Sequence, residues 1–99
     1  MRQLVSFVVI NKDRKELLKR CLTAIFNQTY TNIEVILVDN ASLDGSVEMV
    51  GSNFPDVKII KNTMNLLVAK AYNQGAKQAN GKYLAFLNSD YYMMPNWLE

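Results

Sequence analysis

What most constrains the fold of this chain is an alternation. Four short, nearly unbroken apolar runs, Leu4–Ile10, Ile33–Val38, Val57–Ile60 and Tyr83–Leu87, are separated by segments with a helical period. Short continuous runs rich in valine and isoleucine are what parallel strands covered on both faces require. In the first intervening segment Leu17, Leu18, Cys21, Leu22, Ile25 and Phe26 fall on one stripe, with Asp13 and Glu16 spaced as a capping box. A shorter helix is expected from about Asp44 to Gly51, with Ser42 as its cap. A third is expected from about Leu66 to Ala79, with Asn65 as cap and Asn80-Gly81 as stop. Strand and helix alternating up to a fourth strand make a βαβ array. The array predicts an open, mainly parallel, Rossmann-like α/β sheet with helices on both faces and right-handed crossovers. No linker interrupts the 99 residues, so a single domain over 1–99 is expected.

Composition removes several function classes. The net charge is +2 and the eleven Lys and Arg residues are scattered, so nothing argues for a nucleic-acid partner. A single cysteine, Cys21, excludes an internal disulfide and fits a reducing, cytoplasmic compartment. On its helical stripe it reads as a small buried hydrophobe. There is no histidine, so the commonest general base and the commonest zinc ligand are both missing. The run Leu4–Ile10 is too short to cross a membrane, and no small-residue cleavage site follows it. Pro95–Glu99 opens like a helix and stops after one turn, so an artificial boundary is expected there.

In an open α/β sheet, ligands bind beyond the carboxyl ends of the strands, near the point where strand order reverses. Three of the expected strands lead directly into polar residues: Asn11-Lys12-Asp13, Asp39-Asn40-Ala41-Ser42 and Asn88-Ser89-Asp90. A carboxylate there can accept hydrogen bonds from a base or ribose, or hold a hard cation that bridges to phosphates. Neither G-x-G-x-x-G after the first strand nor G-x-x-x-x-G-K-[ST] anywhere is present, which weakens dinucleotide-fold and P-loop readings. Without a glycine loop, neutralising a diphosphate falls to a divalent metal, and Asp90 is the candidate ligand. Ser42 and Asp44 read instead as a helix cap and a first-turn acid.

The stretch "VSFVVINKDRKELLKRCLTAIFNQTYTNIEVILVDNASLDGS" resembles the start of an inverting family 2 glycosyltransferase of the GT-A fold. The resemblance continues through Asn65, Asn73 and Gly75 to "FLNSD" and covers nearly the whole chain. It implies transfer of a sugar from a nucleotide-diphosphate-sugar donor, a UDP- or dTDP-sugar, assisted by Mg²⁺ or Mn²⁺. The acceptor it implies is a polysaccharide, lipid or other cell-envelope glycan, with the full-length protein associated with the inner face of the membrane. Carried over by position, Ile10 and Asn11 border the base and Asp39 hydrogen-bonds it. Asn88 faces the ribose, Asp90 coordinates the metal, and Asn73 joins the nucleotide site. For Asn73 the alternative is a structural bond to a neighbouring loop.

The chain departs from the family pattern in four respects. Asn88 stands where the family often has Asp. Leu67 and Tyr72 replace a glycine and an arginine of the usual N-x-G-x-x-x-A-R-N-x-G, although Ala71, Asn73 and Gly75 match. Lys70 is a substitute cation for that arginine, or else part of a solvated helix face. The family's second half, with the acceptor site and the carboxylate general base, is absent, so the 99 residues are expected to bind donor and to be inactive alone. Exposed Tyr91–Met94 would then favour a homodimer, and Trp97 would belong to the core of the missing part. The rival reading is a non-catalytic nucleotide-binding or regulatory α/β module. A receiver domain needs an acidic pair after the first strand and an Asp after the third; Asn11-Lys12-Asp13 and Asn62-Thr63 stand there. A sugar-nucleotide pyrophosphorylase lacks its glycine-rich loop here.

Overall fold

The computed structural model describes residues 3–90; Tyr91–Met94, Pro95 and Trp97 lie outside them. The elements are β1 (Val5–Asn11), α1 (Lys15–Phe26), β2 (Ile33–Asn40), α2 (Ser46–Asn53), β3 (Lys58–Asn62), α3 (Val68–Gln78) and β4 (Tyr83–Asn88). They form one sheet in the order β3-β2-β1-β4, with every pairing parallel. The expected Rossmann-like α/β layout is therefore present. Strand order reverses at β1: β2 and β3 extend to one side and β4 lies on the other.

Side-chain alternation along β1 builds two cores. Phe7 and Val9 join Leu18, Cys21, Leu22 and Ile25 of α1 and Val50 of α2 in the larger one. Val8 and Ile10 face the other way and join Val38 and Ala71, with Ile60 and Tyr72 at the margin. Each fully buried aliphatic or phenyl side chain contributes about 1.5–3 kcal/mol, which explains why β1, buried at all seven positions, occupies the centre. The small core exists because α3 lies close on the sheet: a Cβ at Gly75 would fall 2.2 Å from Val8 Cγ1.

Two expectations change at the sheet. Tyr83–Leu87 is not covered on both faces, because β4 is an edge strand; Tyr83, Leu84 and Phe86 are 56%, 40% and 45% exposed. Phe86 instead leans on the Tyr72 ring, centroids 4.8 Å apart. The strands also run past their apolar runs into Asn11, Asn40, Asn62 and Asn88, since backbone pairing continues wherever the neighbouring strand does.

The helix starts differ as well. α1 begins after Arg14, with no capping box, and Asp44 accepts the Lys15 N–H at 2.9 Å. Asp44 also accepts the Ser46 N–H at 3.0 Å and the Ser46 hydroxyl, so one carboxylate ties the starts of α1 and α2 together. Burial opposes ionisation of Asp44, but the bonds from Ser46 and Lys15 outweigh it and hold the carboxyl below its ordinary value. Gly45, at φ 87°, takes the cap position of α2 that Ser42 was expected to hold. α3 starts after Leu67, two residues later than a cap at Asn65 would place it.

At the amino ends of the strands, Glu34 accepts the Ser6 hydroxyl at 2.6 Å, the Asn80 N–H, and Lys58 Nζ at 3.2 Å. Ser6 Oγ in turn accepts the Gly81 N–H at 2.8 Å, which fixes the turn after α3.

Candidate functional site

The carboxyl edge of the sheet divides into a closed half and an open half. In the closed half, Asn11 Nδ2 donates to Asp39 Oδ1 at 3.0 Å and to Ser42 Oγ at 3.2 Å. Ser42 returns its N–H to Asp39 Oδ2 at 2.9 Å and its hydroxyl to Oδ1 at 2.8 Å. Its Oγ also accepts the Asp13 N–H at 2.9 Å. Asn11 and Asp39 thus sit side by side, as their register in β1 and β2 dictates, and are 1% and 2% exposed. Ser42 is a member of this knot and not a helix cap.

The loops above the knot are strained and cross-tied. Asp13 and Ala41 adopt φ of 52° and 60°, a conformation costing a non-glycine residue about 1–2 kcal/mol. Leu43 N–H donates to Asp13 Oδ1 at 2.6 Å, and Lys12 Nζ donates to the Ala41 carbonyl at 2.7 Å. The Leu43 bond, reinforced by Lys12, lowers the Asp13 pKa.

The open half is a cleft of about 330 Å³ where strand order reverses, between the ends of β1 and β4. Ile10, Lys12, Arg14, Asn88 and Ser89 line it, with the 65–68 loop as its far wall. That wall is held by amides: Asn40 Nδ2 donates to the Leu66 carbonyl at 3.2 Å, Asn62 Nδ2 donates to Asn40 Oδ1 at 2.9 Å, and Asn62 and Gln74 exchange a reciprocal pair at 2.9 Å. Ser89 N–H closes on the Ile10 carbonyl at 3.0 Å. The Ser89 hydroxyl and Asn11 Oδ1 are buried without a partner among the described residues.

Asp90 follows at the rim. Its Oδ2 lies 3.1 Å from Arg14 Nη1, with both side chains about half exposed. Its charge is felt inward: burial first, and Asp90 second, raise the pKa of Tyr72 and push the Cys21 thiol up to about 11. Cys21 is therefore the inert core residue expected of it.

The structure thus brings Ile10 and Asn88 to one cleft with Asp90 beside it. It puts Asn11 and Asp39 together in the closed knot, and leaves Asn73 exposed on α3, away from the cleft lining. Lys70 is also exposed and away from the lining. Sequence reasoning missed Arg14 and Ser89. Arg14 looks like part of a helix start, and its only signal is that it follows Asn11-Lys12-Asp13 at a strand end.

Among the described residues no three His, Cys, Asp or Glu side chains converge as a metal cage. The donor set still fits Mg²⁺ or Mn²⁺ of the kind held by one carboxylate, water and substrate phosphates, with Asp90 as that carboxylate. No helix among these residues is long and apolar enough to cross a membrane.

The glycosyl transferase family 2 model matches residues 6–99. Glycosyltransferase GlyG of Streptococcus pneumoniae is 33% identical over 102 aligned positions, covering 100% of this chain and 34% of that protein. The Escherichia coli UDP-Glc:alpha-D-GlcNAc-diphosphoundecaprenol beta-1,3-glucosyltransferase WfaP is 35% identical over 92, covering 91% of this chain and 36% of that protein. Among solved structures, mannosyltransferase PcManGT from Pyrobaculum calidifontis, in complex with GDP-Man and Mn²⁺, superposes with a TM-score of 0.83 at 26% identity. That match covers 93% of this chain and 29% of that one. The chain thus spans about a third of the length of these relatives.

Proposed function

The chain belongs to glycosyl transferase family 2, and we propose that its β1–β4 cleft binds the nucleotide diphosphate of a sugar donor, with Asp90 holding the divalent cation. The observation that carries this reading is the cleft itself: it lies where strand order reverses, is lined by Lys12 and Arg14, and has Asp90 at its rim. When bound, the cation supplies charge stabilisation to the departing diphosphate. Ile10 and the 65–68 loop provide an apolar wall for a base, while Asn88 and Ser89 offer hydrogen-bonding groups to the ribose side. Asp39 fixes Asn11 and the β2–α2 loop beside that wall, which bears on base recognition by holding its frame. Asn73 enters the nucleotide site in this reading only if the donor reaches past the lining toward α3.

Among the described residues lining the cleft there is no carboxylate or imidazole, and Asp90 at its rim is given to the cation, so these residues are assigned to donor binding. The whole protein is proposed to pass the sugar to a cell-envelope glycan or lipid acceptor at the inner face of the membrane. Two relatives support the classes of donor and acceptor alone: WfaP is named for UDP-glucose and a diphosphoundecaprenol acceptor, and PcManGT is held with the donor GDP-Man and Mn²⁺.

Calorimetric titration with UDP, dTDP and GDP, with and without Mn²⁺, tests the donor site. Manganese-dependent binding is expected for one of the three, and Asp90→Ala should weaken it at least tenfold. Equal affinity with and without the metal, or in Asp90→Ala, would remove Asp90 from the site.

A further inference from the structure

On α3, Tyr72 faces the sheet and its ring is turned onto Phe86. The third helix therefore sends no cation into the cleft, since Lys70 lies outside the lining. Two cations do line it, both from the β1–α1 loop. Lys12 is committed, its ammonium held by the Ala41 carbonyl and by Asp13 Oδ2 at 3.2 Å. Arg14 is not: one guanidinium nitrogen meets Asp90, and the remaining donors have no partner among the described residues.

Resting on the donor reading above, we infer that Arg14 is the phosphate-binding residue of this chain and exchanges partners. It neutralises Asp90 in the donor-free protein, then moves its guanidinium to the donor diphosphate once Asp90 takes the cation. The geometry suits the exchange. Arg14 is anchored by its backbone, whose carbonyl accepts the first helical N–H from Leu18 at 2.7 Å, so only the side chain needs to swing. An ion pair half exposed on both sides contributes little to stability and is given up readily. A divalent ion on Asp90 repels the neighbouring guanidinium, and a diphosphate offers it the paired oxygens that its planar fork matches.

The exchange predicts effects of opposite sign in Arg14→Gln. Without nucleotide, Mn²⁺ binding followed by the EPR signal of the free ion should tighten roughly two- to fivefold, because a competitor for Asp90 is gone. With saturating Mn²⁺, UDP binding by calorimetry should weaken by about 10- to 100-fold, and Arg14→Lys should recover part of it. Should dTDP or GDP be the nucleotide that the wild type binds, it replaces UDP in this arm. The inference is overturned if Arg14→Gln leaves nucleotide affinity within twofold of wild type. It is equally overturned if both affinities fall together, as a purely structural role would require. A wild type that binds none of the three nucleotides with Mn²⁺ would overturn the donor reading itself, and the Arg14 assignment with it.

Discussion

Both oxygens of Asp39 are occupied inside the protein, by Asn11, by the Ser42 hydroxyl and by the Ser42 N–H. Its position after an apolar run announces a ligand-edge residue, but its partners make it a structural anchor as well. Removing its charge tests the anchor directly. In Asp39→Asn the new amide NH₂ either meets the N–H of Ser42, donor against donor, or meets the Asn11 amide, which must then turn its Oδ1 inward and give up its bond to Ser42. The expected loss is about 1–3 kcal/mol, read from the urea midpoint at unchanged m. An unchanged midpoint would mean that the knot does not hold the edge together. Arg14 shows the opposite case. In its sequence surroundings only its place after Asn11-Lys12-Asp13 at a strand end hints at a site, and only the return of the chain to β4, 76 residues later, brings Asp90 within reach.

Among the elements, α3 is the one whose sequence pattern is explained most fully by packing. Ala71 and Gly75 are its buried residues: Ala71 packs in the small core with Val8, and Gly75 leaves room for the helix to approach Val8 closely. Gln74, between the motif positions Asn73 and Gly75, bridges to Asn62. Gly75→Ala should gain about 1 kcal/mol of helix propensity and lose about 1–3 kcal/mol to overpacking against Val8. Net destabilisation is expected in thermal melts, and it should shrink in a Val8→Ala background. A stabilised Gly75→Ala would show that α3 rides higher on the sheet. The helix starts were poorly legible for a physical reason: Asp44 caps α1 from another loop, and a local pattern such as Asp13 with Glu16 carries no information about that.

For the whole molecule, the two ends of the sheet do different work. The carboxyl end holds the cleft, while the amino end is closed by Glu34, which joins β1, β2, β3 and the turn after α3 through Ser6, Lys58 and Asn80. Burial alone would raise the Glu34 pKa, but the bonds from Ser6, Asn80 and Lys58 outweigh it and hold it at about 2, against an ordinary 4.5. A carboxyl depressed on folding adds stability that is fully present above its unfolded value and is lost as pH falls through the folded one. The melting temperature should therefore drop between about pH 4.5 and 2, and Glu34→Gln should flatten that drop while lowering the plateau above it. Parallel acid profiles for the two proteins would place the acid-sensitive group elsewhere.

The apolar runs and the helical stripe by themselves determined the element order, the parallel α/β class and the centre of the inward face of α1, because burial imposes those periods locally; Leu17 and Phe26, at the margins of the expected stripe, are exposed instead. The resemblance of the motifs determined the family. Only the tertiary structure decided how far β4 is left uncovered, since exposure of Tyr83, Leu84 and Phe86 depends on what lies beside β4 and not on its own residues. The tertiary structure also separated the carboxyl-edge polar residues into a closed knot and an open cleft. Side-chain direction at a strand end is set by register with the neighbouring strand, and Asn11 beside Asp39, or Arg14 beside Asp90, follows from pairings that join distant parts of the chain.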